Sequence, residues 1–331
     1  MKTALVFACD DNFVAYTSVA ARRVSQLSSE QFPIVIISDG VADENKRLAQ
    51  KFCQQINFIE AGSLFGENRF HTTTAYARAT YLRLYLDEIL ADFDRIVYMD
   101  GDMTPLVDIS PLLQMIPKAS PVMATYSFDH VRTYPYNKLS LSPGAGYLQG
   151  GLQIFDLKAV REERIFKDAI QFALDHPEKC ELVDQDALNF VLQGRWQVLD
   201  WRWNVMNFEA KHAPRPFYIR HHGGAEKPWT ADKSGSEPDI IKLWRADLAE
   251  SPWPQKFTAE KKVPFSRKYI RPVTRAIEVP IKAAVRGDYQ TVLHGERERR
   301  QNKRHLRHLP SFLKKAEEAA REGRLASALR A

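Results

Sequence analysis

Over the first hundred residues, short apolar runs alternate with stretches whose apolar positions recur at helical spacing. Thr3 to Ala8 is compact and apolar, which predicts a buried first strand. Tyr16 to Leu27 predicts a helix with Val19, Val24 and Leu27 on one side. Pro33 to Gly40 reads as a second strand and its turn. Ala42 to Phe52 reads as an amphipathic helix with Lys46, Arg47 and Lys51 outward, and Ile56 to Ile59 as a third strand. That order predicts an α/β fold with a parallel sheet and right-handed crossovers. Tyr81, Leu84, Tyr85 and Ile89 then predict one long helix over Thr72 to Leu90. Ile96 to Met99 is the next buried strand, and it ends at Asp100-Gly101-Asp102.

The second half continues less regularly. Ser110-Pro111 reads as a serine cap and first-turn proline of a short helix. Pro121 to Tyr126 predicts a strand, and the prolines and glycines of Arg132 to Gly146 predict a loop. Tyr147 to Phe155 returns to strand character, and its Gly150-Gly151 pair predicts a close approach to the backbone. Asp156 to His176 reads as mostly helix, and Val183 to Leu192 as another helix, with Gln185 and Asn189 one turn apart. The aromatic-rich run Trp196 to Asn204 predicts a strand. Tyr218 to Gly224 predicts a strand running into a glycine turn.

Chemistry concentrates where strands end. Two carboxylates one residue apart repel each other unless a positive group lies between them. A divalent cation with oxygen ligands, Mn²⁺ or Mg²⁺, meets that need, while an acidic surface turn is the bland alternative for Asp100 and Asp102. His221, Gly223-Gly224 and Lys227 could together hold a metal and a phosphate, or could form an exposed basic turn. Arg83 either packs its stem with its head in solvent or contacts a phosphate or carboxylate. Asp184 is either a plain helix-start carboxylate or a site group.

Composition narrows the class. A hydrophobic share of 44% with 27% charged residues suits a globular chain with a real core. Cys9, Cys53 and Cys180 form no zinc or disulfide spacing, which suits a cytoplasmic setting. The N-terminal apolar run is too short for a signal peptide, and no segment reaches the ~18 apolar residues of a membrane span. Residues 256–331 hold 20 Lys and Arg against 8 Asp and Glu. Since the whole chain is +6, the body before them carries about −6. An acidic body argues against a nucleic-acid enzyme. The basic extension, which mixes Arg267, Lys268, Arg271, Arg275, Lys282 and Arg286 with Tyr269, Ile270, Val273 and Ile277, suits an anionic membrane surface. A solvated basic helix packed on the body is the alternative. Residues 1–254 are accordingly expected to form the catalytic domain and 255–331 an extension.

Five blocks in order resemble the family 8 retaining glycosyltransferases, which include lipopolysaccharide galactosyl- and glucosyltransferases and glycogenin. They are Val6 to Phe13, Thr80 to Leu84, Val97 to Asp102, Asp184 to Asn189, and His221 to Trp229, the last matching H-x-x-G-x-x-K-P-W. The resemblance spans roughly residues 1–230. It implies a GT-A-type nucleotide-sugar-binding fold, a mixed but mostly parallel sheet with helices on both faces, followed here by a basic helical tail. It implies transfer of a hexose from a UDP-sugar to a glycan or glycolipid acceptor, with lipopolysaccharide the leading acceptor. A protein or storage-polysaccharide acceptor, or a nucleotide-sugar-binding protein without turnover, are the alternatives. By the same resemblance Ala8, Asp10 and Asn12 line the uridine pocket, Arg83 approaches the diphosphate or sugar, and Asp100, Asp102 and His221 hold Mn²⁺. Gly101 lies within that metal-binding triplet. Gly224 and Lys227 neutralise phosphate, Asp184 binds donor hydroxyls, and Gln185 sits near the anomeric carbon. Gln149 replaces the family's usual asparagine, and its longer amide is expected to reach the donor or acceptor; Ser127 or Asp129 stands where an aspartate is often found. No carboxylate replaces Gln185, which favours acceptor attack on the leaving-group side. The implied setting is the cytoplasm, peripheral to the inner membrane face.

Overall fold

The computed structural model describes residues 1–331 except 69, 73–76, 128–137, 143, 225–226, 230–236, 257–288 and 329–331, with backbone alone over 289–305. Its core is a seven-stranded sheet in the order β3-β2-β1-β4-β7-β6-β8. The strands are β1 (Thr3–Asp10), β2 (Ile34–Asp39), β3 (Ile56–Glu60), β4 (Arg95–Met99), β6 (Val122–Tyr126), β7 (Leu148–Asp156) and the two-residue β8 (Gln197–Val198). Strands β1 to β4 pair in parallel, β8 pairs in parallel with β6, and β7 runs antiparallel to both its neighbours. The mostly parallel α/β sheet expected from the strand–helix alternation is therefore present.

Alternating strand residues build two cores, as a sheet covered on both faces requires. Leu5 and Phe7 face one side with Ile34, Ile36, Val97 and Met99. Helices α1 (Val14–Leu27) and α2 (Asp43–Phe52) contribute Val14, Val24 and Ala49 to that side. Ala4 and Val6 face the other side with Ile96 and Tyr98. The helices there are α5 (Leu157–Glu162), α6 (Ile165–Asp175) and α7 (Val183–Leu192), numbered after the short α3 (Leu86–Ile89) and α4 (Ser110–Gln114). A separate antiparallel ribbon joins β5 (Met103–Pro105) to β9 (Ile219–His221).

Three local expectations are corrected. The long helix expected from Thr72 is instead a 3-10 helix over Arg78–Tyr85, followed by α3. Tyr81 to Leu86 are all buried, so packing on every side overrides the single-stripe pattern from which an α-helix was read. The strand expected over Trp196 to Asn204 shrinks to β8 and a 3-10 turn, Trp201–Trp203. Trp196, Trp201 and Trp203 enter three different apolar clusters, which a straight strand could not feed. Asp200 starts that turn by accepting from the Arg202 amide. Ser110 does not cap α4 either: it is the helix's first residue, its hydroxyl accepts from the Glu30 amide at 3.2 Å, and Asp108 Oδ1 accepts from its own amide at 2.8 Å.

Residues 132–137 and 143 of the loop expected over 132–146, and the basic segment from Arg267 to Arg286, lie outside the described residues. After α8 (Asn207–His212) and α9 (Pro238–Ala249), the chain ends in the long helix α10 (Tyr289–Glu322). The later part of α10 is built into the body: Leu309, Leu313, Ala316 and Ala319 are buried. Beyond it, Arg324 and Ala326 bond to the backbone of Val198 and Trp196, and Leu325 bridges Gln197. The extension expected from residue 255 thus includes a segment that completes the sheet edge at β8. No helix among the described residues is long and apolar enough to cross a membrane.

Candidate active site

The strands β1, β2 and β4 end at one edge, where ligands of open α/β sheets bind. There Asp100 and Asp102 follow β4, and the ribbon brings a third group to them. Met103 pairs with His221 across β5 and β9, and the His222 amide donates to the Asp102 carbonyl at 3.0 Å. His221 Nε2 lies 3.2 Å from Asp102 Oδ1 and 3.7 Å from Asp100 Oδ2. One donor atom from each of Asp100, Asp102 and His221 falls within 4.8 Å of the others. Two carboxylates and an imidazole at that spacing fit a divalent cation such as Mn²⁺ or Mg²⁺ in chemical type. Gly101 lets the triplet lie on α1, since a Cβ there would stand 2.3 Å from Thr17 Oγ1.

Lys227 Nζ pairs with Asp102 Oδ2. Burial pushes the Asp102 carboxyl up, but Lys227 and His221 outweigh it and hold it well below the usual carboxylate range. Burial and Arg220 push the His222 imidazole down to about 3, and His222 Nε2 meets Thr104 Oγ1 at 3.0 Å. The loop carrying Lys227 is anchored next door. Trp229 stacks on Tyr16 at 3.8 Å and packs edge-on to Phe13. Gly224 adopts φ +70°, the left-handed region that glycine enters freely.

Arg83 does not reach solvent, being 2% exposed. Its Nη2 donates to Asp100 Oδ1 at 3.0 Å, and its Nε lies 3.0 Å from Asp184 Oδ2. Its guanidinium sits 4.2 Å from the centre of the Tyr98 ring. The Gly150-Gly151 pair has the close approach its sequence implied. A Cβ on Gly150 would stand 2.5 Å from Arg83 Nη1, and one on Gly151 would stand 2.3 Å from His221 Cε1. Burial pushes Asp184 up to about 7 even though Arg83 opposes it.

The other residues of the sequence set have distinct places. Gln185 Oε1 accepts from the Gly150 amide at 2.6 Å. Gln149 sits one residue before and meets Asn204 Nδ2 at 2.6 Å through its Oε1. Ala8 and Asp10 lie at the end of β1, where Asp10 accepts from the Phe13 amide at 3.0 Å. Asn12 is exposed and donates to Asp10 at 3.3 Å, so no bond joins these two to the acidic cluster. Asp186 serves the fold: Tyr147 OH donates to it at 2.5 Å and the Leu182 amide at 2.7 Å. Ser127 is buried, and Asp129 is outside the described residues.

Two participants escaped the sequence reading. Asn204 Oδ1 lies 2.9 Å from His221 Nδ1; its signal was a lone amide closing an aromatic run. Asp39, at the end of β2, is gripped by Arg78 through two nitrogens.

The Glycosyl transferase family 8 sequence model matches residues 4–233. The lipopolysaccharide 1,2-glucosyltransferase of Escherichia coli (strain K12) is 25% identical over 213 residues, 60% of this chain and 62% of that protein. Among solved structures, the galactosyltransferase LgtC in complex with donor and acceptor sugar analogs gives a TM-score of 0.69 at 23% identity. That match covers 76% of this chain and 99% of the other. The glycosyltransferase GlyE of Streptococcus pneumoniae TIGR4 gives 0.56 at 17% identity, over 80% of this chain and 66% of the other. The structural likenesses speak to the fold, and the family match covers most of the chain, with both halves of the Asp-Asp-His cluster inside it: the protein belongs to glycosyltransferase family 8.

Proposed function

We propose that this chain is a metal-dependent, retaining hexosyltransferase that uses a UDP-sugar donor and a glycan or glycolipid acceptor. The observation that carries the reading is the meeting of Asp100, Asp102 and His221 from distant parts of the chain, with Lys227 beside them. Bound there, a divalent cation would offset charge developing on the departing diphosphate. Lys227 would add a second positive charge at the same oxygens. Ala8, Asp10 and Asn12, at the end of β1, are the candidates for the uridine, and Gly224 leaves backbone room for phosphate.

The sugar would lie over Gly150, between Arg83 and Gln185. In the reaction the bond between the anomeric carbon and the phosphate oxygen breaks. The acceptor oxygen bonds that carbon on the same face, and its proton passes to the departing phosphate. Front-face attack is supported by the carboxylates nearby, since Asp186 is bound by Tyr147 and Leu182 and Asp184 is paired with Arg83. A lipopolysaccharide acceptor is the leading candidate, by likeness to the Escherichia coli enzyme's name. A cytoplasmic, membrane-peripheral setting is supported by the basic residues between Arg267 and Arg286.

The test is release of UDP from a panel of UDP-hexoses with Mn²⁺ and candidate acceptors. Release should require the metal, stop with EDTA, and fall at least ~100-fold in Asp102→Asn, more than the loss of a group that merely supports a metal ligand. No release with any donor and acceptor would instead indicate a binding protein without turnover.

A further inference from the structure

A buried amide relay runs behind His221, and its direction is set by the backbone. Gln149 Oε1 accepts from the Gly151 amide, which can only donate. That bond fixes which end of the Gln149 amide faces inward. Asn204 must then present Nδ2 to the same oxygen, and it does so at 2.6 Å. Its Oδ1 is left facing His221 Nδ1 at 2.9 Å, and a carbonyl oxygen can only accept. Nδ1 therefore carries a hydrogen, and Nε2 is the nitrogen turned to Asp100 and Asp102.

All three side chains are shielded: Gln149 is 7%, Asn204 4% and His221 3% exposed. Gly151 belongs to the device twice. Its amide starts the relay, and its missing Cβ leaves room for the imidazole. Gln149 thus meets Asn204 through its oxygen.

We infer that Gln149 and Asn204 are positioning residues that orient His221 to give Nε2 to a divalent cation, a role resting on the metal-dependent reading of the site. Groups that support a metal-binding imidazole in this way are typically worth 10–100-fold in metal affinity. The acceptor on Nδ1 is the essential part, so a leucine at 204 should fail, while an aspartate should serve once Gln149 is leucine and no longer sets its own oxygen against it.

The experiment measures Mn²⁺ binding by electron paramagnetic resonance, with UDP present, in the full chain and three variants. Asn204→Leu should weaken Mn²⁺ about 10–100-fold, and the pair Asn204→Asp with Gln149→Leu, which keeps an acceptor on Nδ1 without the opposing oxygen, should bind more tightly than Asn204→Leu by about tenfold. Gln149→Leu frees the Asn204 amide to turn over and should give an intermediate loss. Thermal melts of the metal-free proteins separate folding from binding. For a variant that still folds, the Mn²⁺ concentration needed for half-maximal turnover should rise while the rate at saturating Mn²⁺ holds. Wild-type affinity in Asn204→Leu and Gln149→Leu would overturn the inference, as would equal losses in Asn204→Leu and in the pair Asn204→Asp with Gln149→Leu. A wild-type protein that binds no Mn²⁺ would overturn the metal reading itself, a different result from either.

Discussion

At the scale of single residues, the site is governed by charges kept out of water. Asp184 shows the cost of such a position. Its carboxyl is pushed from 3.8 up to about 7, first by burial and against the pull of Arg83. Between those values the folded chain holds a proton that the unfolded chain has lost. Stability contributed through Asp184 therefore falls as pH rises from about 4 to 7, with a slope no steeper than about 1.4 kcal/mol per pH unit. Denaturant melts across that range should show the decline, and Asp184→Asn should flatten it. A slope unchanged by the substitution would locate the pH dependence elsewhere. The sequence offered the acidic triplet, His221 and Lys227 as chemistry through their places at strand ends and through the five-block resemblance, since each alone also fits a surface turn. It could not identify Asn204 or the structural task of Asp186. A hydrogen bond to an imidazole or a tyrosine has no spacing rule, and both partners are remote in the chain.

At the scale of elements, β7 is the antiparallel strand in an otherwise parallel sheet, and its start reaches the edge where β4 ends. The Asp100 amide donates to the Gly151 carbonyl at 2.8 Å, which locks the two strands together at the site. Gly151→Ala should force the His221 ring or the strand aside, since the new Cβ would meet Cε1 at 2.3 Å. The expected outcome is loss of Mn²⁺ binding with the circular dichroism spectrum retained. Trp229 performs a different task on its loop. With its stacking on Tyr16 removed, Trp229→Ala should loosen Lys227 and raise donor KM about tenfold, a loss of roughly 1.4 kcal/mol of binding, while Mn²⁺ affinity changes little. The helical period was legible where one face was buried, as in α2, and β1 was legible as a short apolar run buried on both faces. They failed at Arg78–Tyr85 and at Trp196 to Asn204, where burial is continuous or aromatic rings diverge into separate clusters.

At the scale of the molecule, the late helix α10 is packed into the body that holds the sheet, at least from Leu309 onward. Leu309 and Leu313 alone bury side chains worth about 1.5–3 kcal/mol each. Removing residues 309–331 should lower the melting temperature by about 10 °C or more, read by calorimetry. Truncation therefore cannot isolate the membrane contribution of the basic segment. Replacing Arg267, Lys268, Arg271 and Arg275 by serine should instead weaken binding to anionic vesicles while leaving the melting temperature and UDP release near wild type. Vesicle binding that survives the replacement would remove the basic segment from the reading. The basic charge of the segment was plain in the sequence, but the docking of α10 was not. Alanine at 316 and 319 gives little apolar signal, and those residues are buried by close approach.

The bridge between Gln197 and Leu325 joins positions 128 apart in the chain. During synthesis, the margin at Gln197–Val198 must wait for a partner that is still untranslated. A nascent chain halted before residue 324 would present an unprotected β edge, the kind of surface that invites a neighbouring chain to pair with it. Ribosome-bound intermediates of this protein should accordingly need chaperone shelter until translation passes that point.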